Sequence, residues 1–131
     1  MRIALASIFV DDQRAARAFY TEVLGLVVKN EVPVGDDLWL TVVSRDDPEG
    51  TELLLEPSGH PAVGPYRAAL RADGIPLAQL EVADLASEHE RLRAAGVVFT
   101  QDPVDIGSGL LAVFDDTCGN LVQLFEPRRD G

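Results

Sequence analysis

The apolar-rich runs 3–10 (IALASIFV) and 76–82 (PLAQLEV), the second with Gln79 and Glu81 at alternate positions, read as β-strands, whose side chains follow a period of two. Each run leads to an aspartate, Asp12 or Asp84, of the kind that starts a helix by accepting backbone N–H bonds. The period then changes. Ala16, Phe19, Tyr20, Val23 and Leu24 recur at three- and four-residue steps, and Leu85, Leu92 and Ala95 do so with His89 between them, so a helix is expected after each strand. Gly25 and Gly96 stand where a left-handed residue ends a helix. Three strands are expected next in each half: 26–32, 38–43 and 51–56, then 97–100, 110–114 and 120–126, separated by turn-forming clusters such as Gly35-Asp36-Asp37 and Gly107-Ser108-Gly109.

The chain therefore repeats itself. Val10-Asp11-Asp12 returns as Val82-Ala83-Asp84 at an offset of 72 residues, and the closing dipeptide Glu56-Pro57 returns as Glu126-Pro127 at an offset of 70. Each half reads as βαβββ, the first over 1–60 and the second over 75–127. The segment 61–74 reads as a linking helix, with Pro65 near its first turn and Gly74 past its end. The expectation is an α+β domain over 1–131 built from tandem βαβββ modules.

Val10-Asp11-Asp12, Ala18-Phe19-Tyr20, Val23-Leu24-Gly25 and Asp116-Thr117-Cys118-Gly119-Asn120 carry a resemblance to the vicinal oxygen chelate superfamily of glyoxalase I, bleomycin-resistance proteins and extradiol dioxygenases. It covers essentially the whole chain, as a small two-module bacterial-type member. These are capping, packing and turn residues, so they speak for the fold more than for a reaction. The resemblance implies a mixed sheet curled around a cleft that holds metal and substrate, and a homodimer. If Ile8, Val10, Leu80 and Val82 pack on the helices, the opposite face of the first strands holds Leu5, Ser7, Phe9, Leu77, Gln79 and Glu81. On the closing strands the same face is expected to hold Leu53, Leu55, Leu121, Gln123 and Phe125.

Metal-dependent relatives carry one ligand on the first and one on the last strand of each module. Those positions fall on Leu5, Leu53, Leu77 and Gln123. Hydrocarbon side chains donate nothing to a cation, so no metal and no other cofactor is expected. A one-residue slip in the fourth strand would bring Glu52 or Leu54 to the ligand position, and a three-residue slip would bring Glu56.

The polar groups expected on the cleft face are Ser7, Gln79, Glu81 and Gln123, joined by Trp39 and Thr41. Two readings stand for them: contact with a ligand, or bonds to one another and to water. His60 lies just past a closing strand, where it either overhangs the cleft or is a plain loop residue. His89 reads as a residue at the edge of the core. Cys118, among acidic and turn-forming neighbours without a local base, reads as structural. The repetition of Glu56 and Glu126 favours structural roles for both.

Composition narrows the function further. The formal net charge of −11 opposes binding to phosphate backbones and excludes nucleic acid as the expected partner. It is spread over both halves and tolerates cationic ligands. Apolar runs are far shorter than a membrane span requires, the first residues lack a signal-peptide core, and one cysteine suits a reducing compartment, so a cytoplasmic protein without membrane contact is expected. Two functions compete. One is a metal-independent protein that binds a small organic molecule, aromatic or cationic, through Ser7, Phe9, Trp39, Thr41, Gln79, Glu81, Gln123 and His60. The other is a glyoxalase- or dioxygenase-like enzyme (lyase, isomerase or oxygenase) that retains a metal or uses Glu81 as general base. Substrate and pathway are not legible in the sequence.

Overall fold

The computed structural model describes residues 1–129; residues 130 and 131, at the end of the domain expected over 1–131, lie outside the described residues. The chain forms β1 (Leu5–Val10), α1 (Gln13–Ala18), a π-helical turn (Phe19–Val23), β2 (Val27–Val34), β3 (Asp37–Val43), β4 (Glu52–Pro57), α2 (Val63–Ala72), β5 (Ala78–Glu81), α3 (Leu85–Ala94), β6 (Phe99–Asp105), β7 (Gly109–Asp115) and β8 (Leu121–Pro127). The order is βαβββ, a helix, then βαβββ. It makes two four-stranded mixed sheets, ordered β1-β4-β3-β2 and β5-β8-β7-β6. Two compact units divide the chain within α2: residues 1–66 with 117–119, and 67–116 with 120 onward.

In the first unit, the Asp12 carboxylate accepts the N–H groups of Arg14 and Ala15 and starts α1. Ala16 and Tyr20 are fully buried and Phe19 nearly so. The helix does not continue as a regular α-helix. The Leu24 N–H reaches back five residues to the Phe19 carbonyl, which is π geometry, so the apolar spacing through Val23 and Leu24 is only approximately that of an α-helix. Gly25 closes it at φ +87°, the left-handed conformation expected there. α1 is tied to its sheet by Gln13, whose Nε2 donates to the Leu38 and Leu55 carbonyls, both at 2.8 Å, while its Oε1 accepts the Leu38 N–H at 2.9 Å.

In the second unit, Asp84 caps α3 by accepting the Ser87 N–H and hydroxyl. Leu85 and Leu92 are buried beneath it. The tie to the sheet comes from the opposite direction: Glu126 on β8 accepts the Leu85 N–H at 2.8 Å. β6 runs to Asp105, well beyond the expected 97–100, and its polar, Pro-containing sequence is tolerated because it is an edge strand with shifted register against β7. Between β7 and β8, Asp116 accepts both the backbone and side-chain N–H groups of Asn120, with Thr117 (φ 62°) and Gly119 (φ 103°) in left-handed conformations. The shared turn motif is thus a self-bonded loop, and its buried Cys118 fits the structural reading.

The strand register corrects one expectation. β1 and β4 are parallel, with Ser7 beside Leu54, Ile8 beside Leu55 and Phe9 beside Glu56. Leu53 and Leu55 therefore share the helix-packing face with Ala6 and Ile8, and the opposite face of β4 carries Glu52, Leu54 and Glu56. In β5 and β8 the alternation is as expected, with Gln79 beside Gln123 and Glu81 beside Phe125.

Replacing Gln13 with Leu keeps the volume but leaves backbone groups of Leu38 and Leu55 without their partner; a loss of about 1–3 kcal/mol is expected, read as a lower urea midpoint with an unchanged slope. Acid stability has a defined source as well. The Ser87 N–H holds the Asp84 carboxyl below its ordinary 3.8, and the Gly107 N–H, then Arg128, do the same for Asp105. Carboxylates lowered by folding stabilise it above their unfolded value and lose that contribution as pH falls through the folded one. The Asp84→Asn/Asp105→Asn double variant should therefore lose less stability than the parent on going below about pH 4, as measured by urea midpoints across pH.

Candidate functional site

The faces opposite α1 and α3 carry the side chains with potential for binding. In the first unit β1 contributes Leu5, Ser7 and Phe9, of which Ser7 is exposed and Phe9 half-buried. Trp39 on β3 is exposed opposite Val32, also exposed, on β2. Thr41, expected among the ligand contacts, is fully buried; its hydroxyl donates to Glu52 Oε1 at 2.7 Å. Asn30 on β2 completes a triangle, donating to the same Glu52 oxygen at 2.9 Å and to the Thr41 hydroxyl at 3.1 Å. Thr41 holds a carboxylate in place; the sequence offered Glu52 only through a one-residue slip of β4 and did not single out Asn30.

His60 stands at the entry to α2. Its Nδ1 accepts the Ala62 N–H at 3.0 Å and its carbonyl accepts the Val63 N–H at 3.0 Å, so the imidazole is oriented by the first turn of the helix. With Phe9, Glu56, Ala62, Val63 and Tyr66 it lines a recess of about 410 Å³ inside the first unit.

In the second unit Gln79 and Glu81 are exposed and Gln123 is half-buried. Gln123 Nε2 donates to Gln79 Oε1 at 2.7 Å, so these two amides bond to one another. His89 is half-buried, its ring edge-on to Phe99 at 4.5 Å and its Nε2 3.2 Å from an Asp102 carboxylate oxygen, as suits a residue at the edge of the core. Glu126 is engaged at the start of α3, a structural role.

Register also moves one of the ligand positions. Ser7 and Gln79 occupy equivalent places in the two modules, and their partners are Leu54 and Gln123. The first-module counterpart of Gln123 is therefore Leu54, not Leu53. The ligand positions become Leu5 and Leu54 in the first module and Leu77 and Gln123 in the second, again with one amide as the only donor. Among the described residues no group of three or more His, Cys, Asp or Glu could hold a metal ion. This donor set does not fit a divalent cation.

Residues 2–124 match the family model of the Glyoxalase/Bleomycin resistance protein/Dioxygenase superfamily. The chain belongs to that superfamily. The uncharacterized protein YurT of Bacillus subtilis (strain 168) is 49% identical over 126 residues, covering 96% of this chain and 99% of that protein. The crystal structure of UcmS2 superposes with a TM-score of 0.82 at 38% identity, covering 95% of this chain and 97% of the other. TnmS3, an antibiotic binding protein from Streptomyces sp. CB03234, gives 0.78 at 26% identity, with 98% and 97% covered. The superfamily includes binding proteins and enzymes alike, so membership leaves the function to the side chains. As for location, among the described residues no helix is long and apolar enough to cross a membrane.

Thr41→Val preserves shape while removing one of the two donors that hold Glu52. A loss of about 1–3 kcal/mol is expected, and a double-mutant cycle with Glu52→Leu should show coupling between the two sites. Additive effects would mean that the bond contributes nothing.

Proposed function

We propose that this member of the superfamily is a metal-independent binding protein for a small organic molecule with aromatic surface, held against the helix-free faces of its sheets. One observation carries the reading: at three of the four positions where metal-dependent relatives place ligands this chain presents leucine, with Phe9 and Trp39 on that face of the first sheet and Phe125 on that face of the second. Apolar and aromatic walls with sparse, placed polar groups suit capture of an organic molecule. The likeness to an antibiotic binding protein supports it. Ser7, Gln79, Glu81 and Gln123 supply the polar contacts, Trp39 a stacking surface, and Thr41 acts only through Glu52. The reading includes the cytoplasmic homodimer that the sequence led us to expect.

Metal analysis and a thermal-shift screen with aromatic and cationic aromatic compounds test it together. Purified protein should hold far less than one metal ion per chain, and a hit at 100 times its Kd should add about 2.7 kcal/mol of stability. Trp39→Ala and Glu81→Gln should each weaken a hit. One tightly bound Ni, Zn, Fe or Mn per chain, or hits indifferent to both substitutions, would overturn the proposal.

A further inference from the structure

We propose that the recess between β1, β4 and the start of α2 selects an arylalkyl primary ammonium, a ring on a short chain ending in –NH3⁺, with Glu56 as its counter-charge. The inference rests on the small-molecule reading above and names the ligand class of one part of the surface. It starts from the company Glu56 keeps. Glu56 is half-buried beside Phe9, its register partner, in a recess otherwise walled by Ala62, Val63, Tyr66 and His60. Among the described residues no donor lies within hydrogen-bonding distance of it, whereas Glu52 on the same strand is held by Thr41 and Asn30. A carboxylate among aromatic and aliphatic groups, with its oxygens free, is a preformed acceptor for N–H donors.

Charge and shape select among ligands. An anion would be repelled by Glu56. A neutral molecule would fill the recess and leave the carboxylate desolvated without a partner. A quaternary ammonium could face the aromatic rings of Phe9 and Tyr66 but has no N–H for the carboxylate, whereas a primary ammonium has both interactions. One effect opposes a cation: the positive end of α2 opens on the same rim. It amounts to about half a charge against the full charge of Glu56, and two of its N–H groups are already taken by His60. The volume, about 410 Å³, accommodates a ring with a short chain.

Amide-shift titration of the ¹⁵N-labelled full chain with phenethylamine and with its neutral counterpart 2-phenylethanol tests the inference. Phenethylamine should move the amides of Gly59, His60, Ala62 and Val63 and bind roughly tenfold more tightly than the alcohol. Glu56→Gln should erase that difference and leave the alcohol's affinity unchanged, and Tyr66→Ala should weaken both. Equal affinities in the parent protein, a preference that survives Glu56→Gln, or shifts confined to other residues would each overturn the inference. The parent protein alone decides the first point, so a variant that fails to fold does not block the test. Aromatic compounds that bind without preference for charge would sink this inference and leave the small-molecule reading standing; if no aromatic compound binds, both fall.

Discussion

Parallel pairing of the first and last strands of each module fixes which side chains a ligand can meet. In a parallel ladder, partners in register lie on the same face, and a slip of one residue sends the whole strand's side chains to the other side. β1 and β4 pair so that Ile8 and Leu55 face α1 and both are buried, which puts Phe9 with Glu56 and Ser7 with Leu54 on the opposite face. β5 and β8 repeat the arrangement with Gln79 and Gln123. The residues at the ligand positions and the company of Glu56 follow from these two ladders.

The helices hold that register by unlike means. A helix begins with backbone N–H groups that lack intrahelical partners, and a sheet edge or bend leaves carbonyls in the same condition. In the first unit the helix side chain Gln13 reaches down and satisfies both Leu38 groups and the Leu55 carbonyl. In the second unit the sheet side chain Glu126 reaches up to the Leu85 N–H. Each solution joins the start of a helix to the last strand of its module. A repeat can therefore keep its geometry while its anchoring residue moves from one element to another.

That freedom explains what was legible in the sequence. The strands, the capping aspartates Asp12 and Asp84 and the glycines at helix ends could be read directly, because each is a local requirement of backbone geometry. The π-helical turn at Phe19–Val23 could not, since hydrogen bonds displaced by one residue leave the apolar spacing nearly unchanged. The β4 face was misassigned for a more instructive reason. The dipeptides Glu56-Pro57 and Glu126-Pro127 look like equivalent landmarks, yet Phe9 pairs with Glu56 while its counterpart Glu81 pairs with Phe125, so the two dipeptides are one residue out of step. Sequence similarity between modules marked the strand and could not fix its parity. Which residue types stand at the ligand positions, three leucines and one glutamine, is the same in either register. The face given to Leu53 and Leu55 depends on it, and there the register reverses the expectation.

The same one-residue offset separates the fates of two glutamates that look alike in sequence. Glu126 falls on the helix side of its sheet, where the start of α3 offers an N–H, and its charge is absorbed into the fold. Glu56 falls on the other side, beside Phe9, in a recess with aromatic and aliphatic walls. A strand cannot present adjacent residues to the same face, so no side-chain adjustment could give Glu56 the partner that Glu126 has. Its charge is left facing a space large enough for an organic molecule. A difference of one position is thus sufficient to place the same residue type at the start of a helix in one module and beside a recess with aromatic walls in the other.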